Sequence, residues 1–174
     1  SIIDINAISF RTDISAIEEE QALEHINISD DILFAAYEDE SNPPKSFVHY
    51  IDISKLGQPI EIATYFAEDR DDINAMHAYQ DRLYMSFSGT RITNEANGFW
   101  TIRTIKYIEV IDVENPNASQ LLHEINLDLS YEINHIAAEG EIVYVTERTY
   151  FRIINLREPF GLTYNGIEID DTAT

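Results

Sequence analysis

Three segments of this chain align without gaps, and that repetition constrains the fold more than any other feature. They run over residues 25–37, 75–87 and 135–147. Each reads as an alternating strand, a polar turn ending in an acid (Asp31, Asp81, Glu141), and a second strand with an aromatic in a fixed slot (Phe34, Tyr84, Tyr144). Period-two alternation with β-branched and aromatic enrichment signals strands, and a short polar turn between two such runs marks a hairpin. A third run follows each hairpin, at 48–54, 108–114 and 151–157, with Asp52, Asp112 and Asn155 in register. A further copy of that run stands at residues 2–6, with Asp4 in the same slot. A proline comes next at a similar offset (Pro59, Pro116, Pro159), where it ends the strand and starts a turn. One more β-rich run closes each unit, at 60–66, 121–127 and 162–169.

The unit is therefore four strands over about 45 to 60 residues, the length and strand count of a propeller blade. The expected fold is all-β: a β-propeller built from four-stranded antiparallel blades, about three and a half of them in 174 residues. Residues 1–20 then end a preceding blade, and 21–68, 69–130 and 131–174 form whole ones. Helical periodicity is weak everywhere. Only residues 14–25 suit a turn or two of helix, with Asp13 or Ser15 as cap. Closed propellers have at least about four blades, and an open set leaves apolar faces and strand edges uncovered. The expected partners of the set are thus remaining blades of a longer chain or a second copy of this one.

The stretch Ile108-Glu109-Val110-Ile111-Asp112-Val113-Glu114-Asn115-Pro116 carries a resemblance. With the strand and the hairpin ending in Tyr144-Val145 that follow it, it is similar to LVIVD-repeat β-propellers. Residues 50–59 and 151–159 are looser copies, the latter with Asn155 in place of the acid, and the likeness covers most of 24–170. It implies a propeller scaffold or interaction surface rather than one activity. The signatures of WD40 and kelch blades are missing.

Charge narrows the partners. The chain has 32 Asp and Glu against 11 Lys and Arg, a formal net charge of -21. The electrostatic term that drives nucleic-acid binding then has the wrong sign, and anionic membranes are disfavoured for the same reason. Cationic partners, divalent ions or simple solubility suit such a surface. Hydrophobic residues make up 44% and aromatics 11%, as in a globular domain. No run approaches the ~20 apolar residues of a membrane span, so no membrane insertion is expected. The N-terminal residues do not read as a signal peptide. Cysteine is absent, which excludes disulfide and thiol chemistry and fits a reduced compartment or a cell-envelope protein.

Three groups of residues are candidate sites. His25, His77 and His135 occur once per unit on one face of the first strand, where a propeller lines its channel, and three imidazoles there suit a transition metal. The competing reading makes each a hydrogen-bonded residue at a blade junction. Asp69, Asp71, Asp72 and Asn74 supply hard oxygens that suit calcium, although Ile73 breaks the EF-hand pattern and a solvated acidic loop explains them as well. Phe99 and Trp100 lie in the insertion at 88–105, read as an enlarged loop that binds a carbohydrate, another small ligand or a protein partner; the competing reading has them simply pack an extension of the third strand. The repeated Asp4, Asp52 and Asp112 are expected to accept bonds from the amides of the following turn, as Asn155 also can. No Ser-His-Asp set, phosphate loop or HExxH helix occurs. The expected function is a non-catalytic interaction scaffold, extracellular or in the cell envelope. The alternative is a propeller-type hydrolase or lyase with its site at the channel mouth and calcium as an added ion.

Overall fold

The structure, a computed structural model, describes residues 21–39, 45–55, 57–67, 72–94, 100–127, 132–148, 150–157 and 167–168. These form three four-stranded antiparallel sheets in chain order. The first contains β1 (Gln21–Ser29), β2 (Ile32–Asp39), β3 (Ser46–Asp52) and β4 (Ile60–Ala67). The second contains β5 (Ile73–Tyr79), β6 (Arg82–Asn94), β7 (Trp100–Asp112) and β8 (Gln120–Leu127). The third contains β9 (His135–Glu139), β10 (Ile142–Glu147), β11 (Tyr150–Asn155) and the short β12 (Ile167–Glu168). Strands pair in sequence order within every sheet, so each is a plain meander. The protein is all-β, and a single 3-10 turn at Pro116–Ala118 joins β7 to β8 among the described residues.

The aligned segments are the hairpins β1–β2, β5–β6 and β9–β10. Their two-residue turns repeat one backbone geometry. Asp30, Gln80 and Gly140, in matching slots, all take a left-handed φ of 51°, 53° and 59°. Only glycine enters that region without steric cost. Each strand of the third type ends in the same side-chain turn. The Ser54 amide donates to Asp52 Oδ1 at 2.8 Å, Glu114 to Asp112 Oδ1 at 2.9 Å and Arg157 to Asn155 Oδ1 at 3.0 Å. That is the expected role of the repeated acid, and Asn155 makes the bond equally well because only an acceptor oxygen is required. Asp4 and Pro159 lie outside the described residues.

Two sequence expectations are corrected. The helical turn at 14–25 does not form over its last residues, because Gln21–Ser29 is strand β1. Alternation in His25, Asn27 and Ser29 against Ile26 and Ile28 outweighs the local helix signal, and β2 pairs with it along its length. Residues 14–20 lie outside the described residues. The insertion at 88–105 is no loop over most of its length. It extends the β6–β7 hairpin, with Ser88 opposite Lys106 and the ladder continuing to Asn94 opposite Trp100. Thr90, Ile92, Thr93, Thr101, Ile102 and Thr104 are β-branched, so the added chain keeps strand geometry and satisfies its backbone in the ladder.

The sheets pack face to face through two apolar cores. Phe34, Val48 and Tyr50 of the first sheet meet Met76, Leu83, Met85 and Phe87 of the second. The other face of the second sheet, with Tyr84, Ile108 and Val110, meets Ile136, Val143, Val145 and Ile154 of the third. The second sheet is therefore buried on both faces, and its central strands read as long apolar runs. Each fully buried Leu, Ile or Phe contributes roughly 1.5–3 kcal/mol. Phe34 and Tyr50 pack edge-on at 5.1 Å, and burial pushes the Tyr50 hydroxyl up to about 12.

Candidate functional site

Polar side chains tie the first strands of successive sheets together. His25 Nε2 lies 2.7 Å from the Ile73 carbonyl. The Asn27 amide spans two backbone groups of β5, with its Nδ2 donating to Met76 at 3.4 Å and its Oδ1 accepting from Ala78 at 3.1 Å. Ser29 donates to the Gln80 carbonyl at 3.3 Å. At the next junction burial lowers the His77 pKa, an effect opposed by its hydrogen bond with the Ala138 backbone. The Tyr84 hydroxyl donates to the Gly140 carbonyl at 2.8 Å, and Arg82 pairs with Glu141 at 2.9 Å. Thus β5 lies between β1 and β9, and the hairpin turns form a second line of contacts between sheets.

At the opposite end of these strands is an open cavity of about 510 Å³. Its lining comes from matching places in all three sheets: Glu24, His25 and Glu38; Asp72, Ile73 and Asn74; Glu132, Ile133, Asn134 and His135. The register shifts between Leu23 and His25 and between Ile73 and Ala75, so Glu24 and Asn74 are the extra residues of two equivalent bulges. A bulge turns a side chain away from the strict alternation of its strand. That local break is how two polar residues reach the cavity beside neighbours that remain in the core.

Four carboxylates and two imidazoles line this cavity, and among the described residues no Lys or Arg does. Behind the rim is the buried Lys106. Its ammonium donates to Ser88 Oγ at 2.6 Å and lies 3.6 Å from Glu132 Oε1, while Ser88 Oγ donates to Asn74 Oδ1 at 2.7 Å. This chain braces the second and third sheets at the cavity wall. Lys106, with a side-chain exposure of 6%, thereby offsets the charge of Glu132 from behind the rim.

The sequence candidates divide. His25 and His135 both line the cavity, together with Asp72 and Asn74 of the acidic stretch. His77 does not; two residues further along the strand, it lies at the junction with β9 and tilts against Tyr84 at 6.5 Å. Among the described residues no three His, Cys, Asp or Glu side chains are grouped so as to hold a metal ion. Asp69, Asp71 and Phe99 lie outside the described residues, and Trp100 begins β7 opposite Asn94. Sequence reasoning missed Glu24, Glu38, Glu132, Asn134 and Lys106. A signal was present for some of these: Asp72-Ile73-Asn74 and Glu132-Ile133-Asn134 repeat acid, isoleucine and asparagine in the same register.

No known protein-family model matches this chain, and no curated protein matches it. Among the described residues no helix is long and apolar enough to cross a membrane.

Proposed function

We propose that the three sheets are successive blades of a β-propeller, and that the chain is a non-catalytic scaffold that receives a basic segment of a partner protein at the channel mouth. The LVIVD-type likeness of residues 108–116 is the sequence basis for the propeller. The adjacency of β1, β5 and β9, the innermost strands of such blades, is its structural support.

The observation that carries the binding reading is the cavity at the common end of those strands. Glu24, Glu38, Asp72 and Glu132 converge there from three units of the chain; the described lining holds no Lys or Arg, and Lys106 pairs with Glu132 from behind it. Like charges in a concave site focus the field and attract ligands of opposite sign. The asparagines and histidines add hydrogen-bonding groups that hold a lysine or arginine side chain in one orientation. An extracellular or cell-envelope setting is part of the same proposal; the lack of cysteine fits it as it fits a reduced compartment.

A fluorescently labelled hexalysine peptide, titrated into the full chain at about 50 mM salt, tests the site. Binding is expected, weakening steeply as salt rises. The triple change Glu24→Gln, Asp72→Asn and Glu132→Gln should weaken it at least about tenfold, which is about 1.4 kcal/mol. Glu124→Gln, on the exposed β8, should leave it unchanged. Equal weakening by both variants would mean that net charge alone attracts the peptide, and the site reading would fail.

A further inference from the structure

Two histidines stand among the four carboxylates of the cavity, and they occupy one slot of the repeat. His25 in β1 and His135 in β9 both contribute to the lining, while the same slot of β5 holds Ala75. His25 is half-buried and His135 is exposed. An imidazole is the side chain that ordinarily gains its charge between about pH 5 and 8, so the pair alters the charge of the cavity within that range.

The geometry lets that charge arrive without disturbing the fold. His25 Nε2 lies 2.7 Å from the Ile73 carbonyl, which only accepts, so Nε2 carries the proton of the neutral ring. A second proton then enters at Nδ1 and leaves the bond to β5 in place. His135 begins β9 opposite Thr146, and the preceding Asn134 amide donates to the Thr146 carbonyl at 2.8 Å. Backbone bonds therefore hold its strand in either charge state.

The groups around the two rings set the direction of the effect. The ionisable side chains that share the lining are Glu24 of β1, Glu38 of β2, Asp72 ahead of β5 and Glu132 ahead of β9. From the strands behind, Lys106 of β7 approaches Glu132, and Glu147 of β10 is already paired with Arg152 of β11. Carboxylates ordinarily titrate near about pH 4, and lysine and arginine above about 10. Between about pH 7.5 and 5.5 it is then the imidazoles that change charge. Two positive charges join four negative ones, and the field that draws a cation into the cavity falls.

We infer that this cavity is a pH-sensitive site, holding a basic segment while His25 and His135 are neutral and releasing it as they protonate. The inference rests on the reading of the cavity as a site for such a segment. By linkage, a bound cation disfavours the second proton on the rings by the same factor, so proton uptake accompanies release.

Hexalysine labelled at its N-terminus carries only side-chain ammonium groups, whose charge is constant over this range. Its affinity for the full chain at about 50 mM salt should fall at least about fivefold from about pH 7.5 to 5.5. In the double variant His25→Gln with His135→Gln, the ratio between the two pH values should shrink to less than about twofold. The ratio is the readout, so a change in the variant's affinity common to both pH values does not enter. His135→Gln alone, at an exposed position, should remove part of the fall, and it reads the switch even where the double variant folds poorly. His123→Gln, in β8 and outside the lining, should leave the ratio as it is.

An affinity equal at both pH values, or a fall that persists undiminished in both His135 variants, would overturn the switch. If Glu24→Gln with Asp72→Asn and Glu132→Gln still weakens binding at the higher pH, the switch alone has failed and the site stands. A triple variant that binds as tightly as the parent removes the site, and the switch with it.

Discussion

Asp112 illustrates how one side chain sets a turn. Its Oδ1 accepts the Glu114 amide at 2.9 Å where β7 leaves its ladder, and Asp52 and Asn155 do the same in their units. The bond satisfies an amide that the sheet no longer pairs. Asp112→Ala should therefore lower the stability by about 0.5–1.5 kcal/mol. Asp112→Asn should cost little, since the oxygen is retained and Asn155 already serves in that slot. Urea unfolding of the three proteins checks this, and equal losses for Ala and Asn would make the charge, not the acceptor, responsible. This role is legible in the sequence because Asp52, Asp112 and Asn155 recur at one register and share only an acceptor oxygen. The positive φ at Asp30 and Gln80 is not legible there, since neither residue announces it as Gly140 does.

The strands show where pattern fails. Alternation located β1–β2, β5–β6 and β9–β10, yet the β6–β7 extension reads as a loop because Asn94, Asn97 and Gly98 dominate the local signal. The ladder from Ser88–Lys106 to Asn94–Trp100 depends on two stretches finding each other, which neither shows alone. A second surprise lies between β10 and β11. Glu147 and Arg152 form an ion pair facing the second sheet, with side-chain exposures of 1% and 11%. Phe87 fills Glu147's slot one unit earlier. Removing one partner strands a buried charge, so Glu147→Leu should cost about 3–5 kcal/mol. The double change Glu147→Leu with Arg152→Leu should restore most of that loss, because apolar side chains already fill this slot elsewhere. Chemical denaturation of both variants reads the difference, and a double variant as weak as the single would show that the pair stabilises the fold.

Across the molecule, 21 uncompensated negative charges oppose compaction. The cavity concentrates part of that repulsion by bringing four carboxylates from three sheets to one rim. Salt should therefore stabilise the fold. The thermal midpoint is expected to rise by several degrees between about 0.05 and 0.5 M sodium chloride, where the screening length falls from roughly 14 to 4 Å. A midpoint that falls would mean that ion pairs such as Arg82–Glu141 outweigh the repulsion. Calorimetry over that range distinguishes the two.

The repeat alone determined the all-β class, the strand order and the turn acceptors, because these depend on neighbours in sequence: alternation, a two-residue turn, an oxygen two residues ahead of an amide. Only the tertiary structure decided which polar residues meet. Glu24 and Asn74 reach the cavity through bulges, Lys106 reaches Ser88 and Glu132 across strands and sheets, and His77 bonds the distant backbone of Ala138. Those contacts depend on how sheets stack, a property of the apolar faces and not of the polar residues that the stacking brings together.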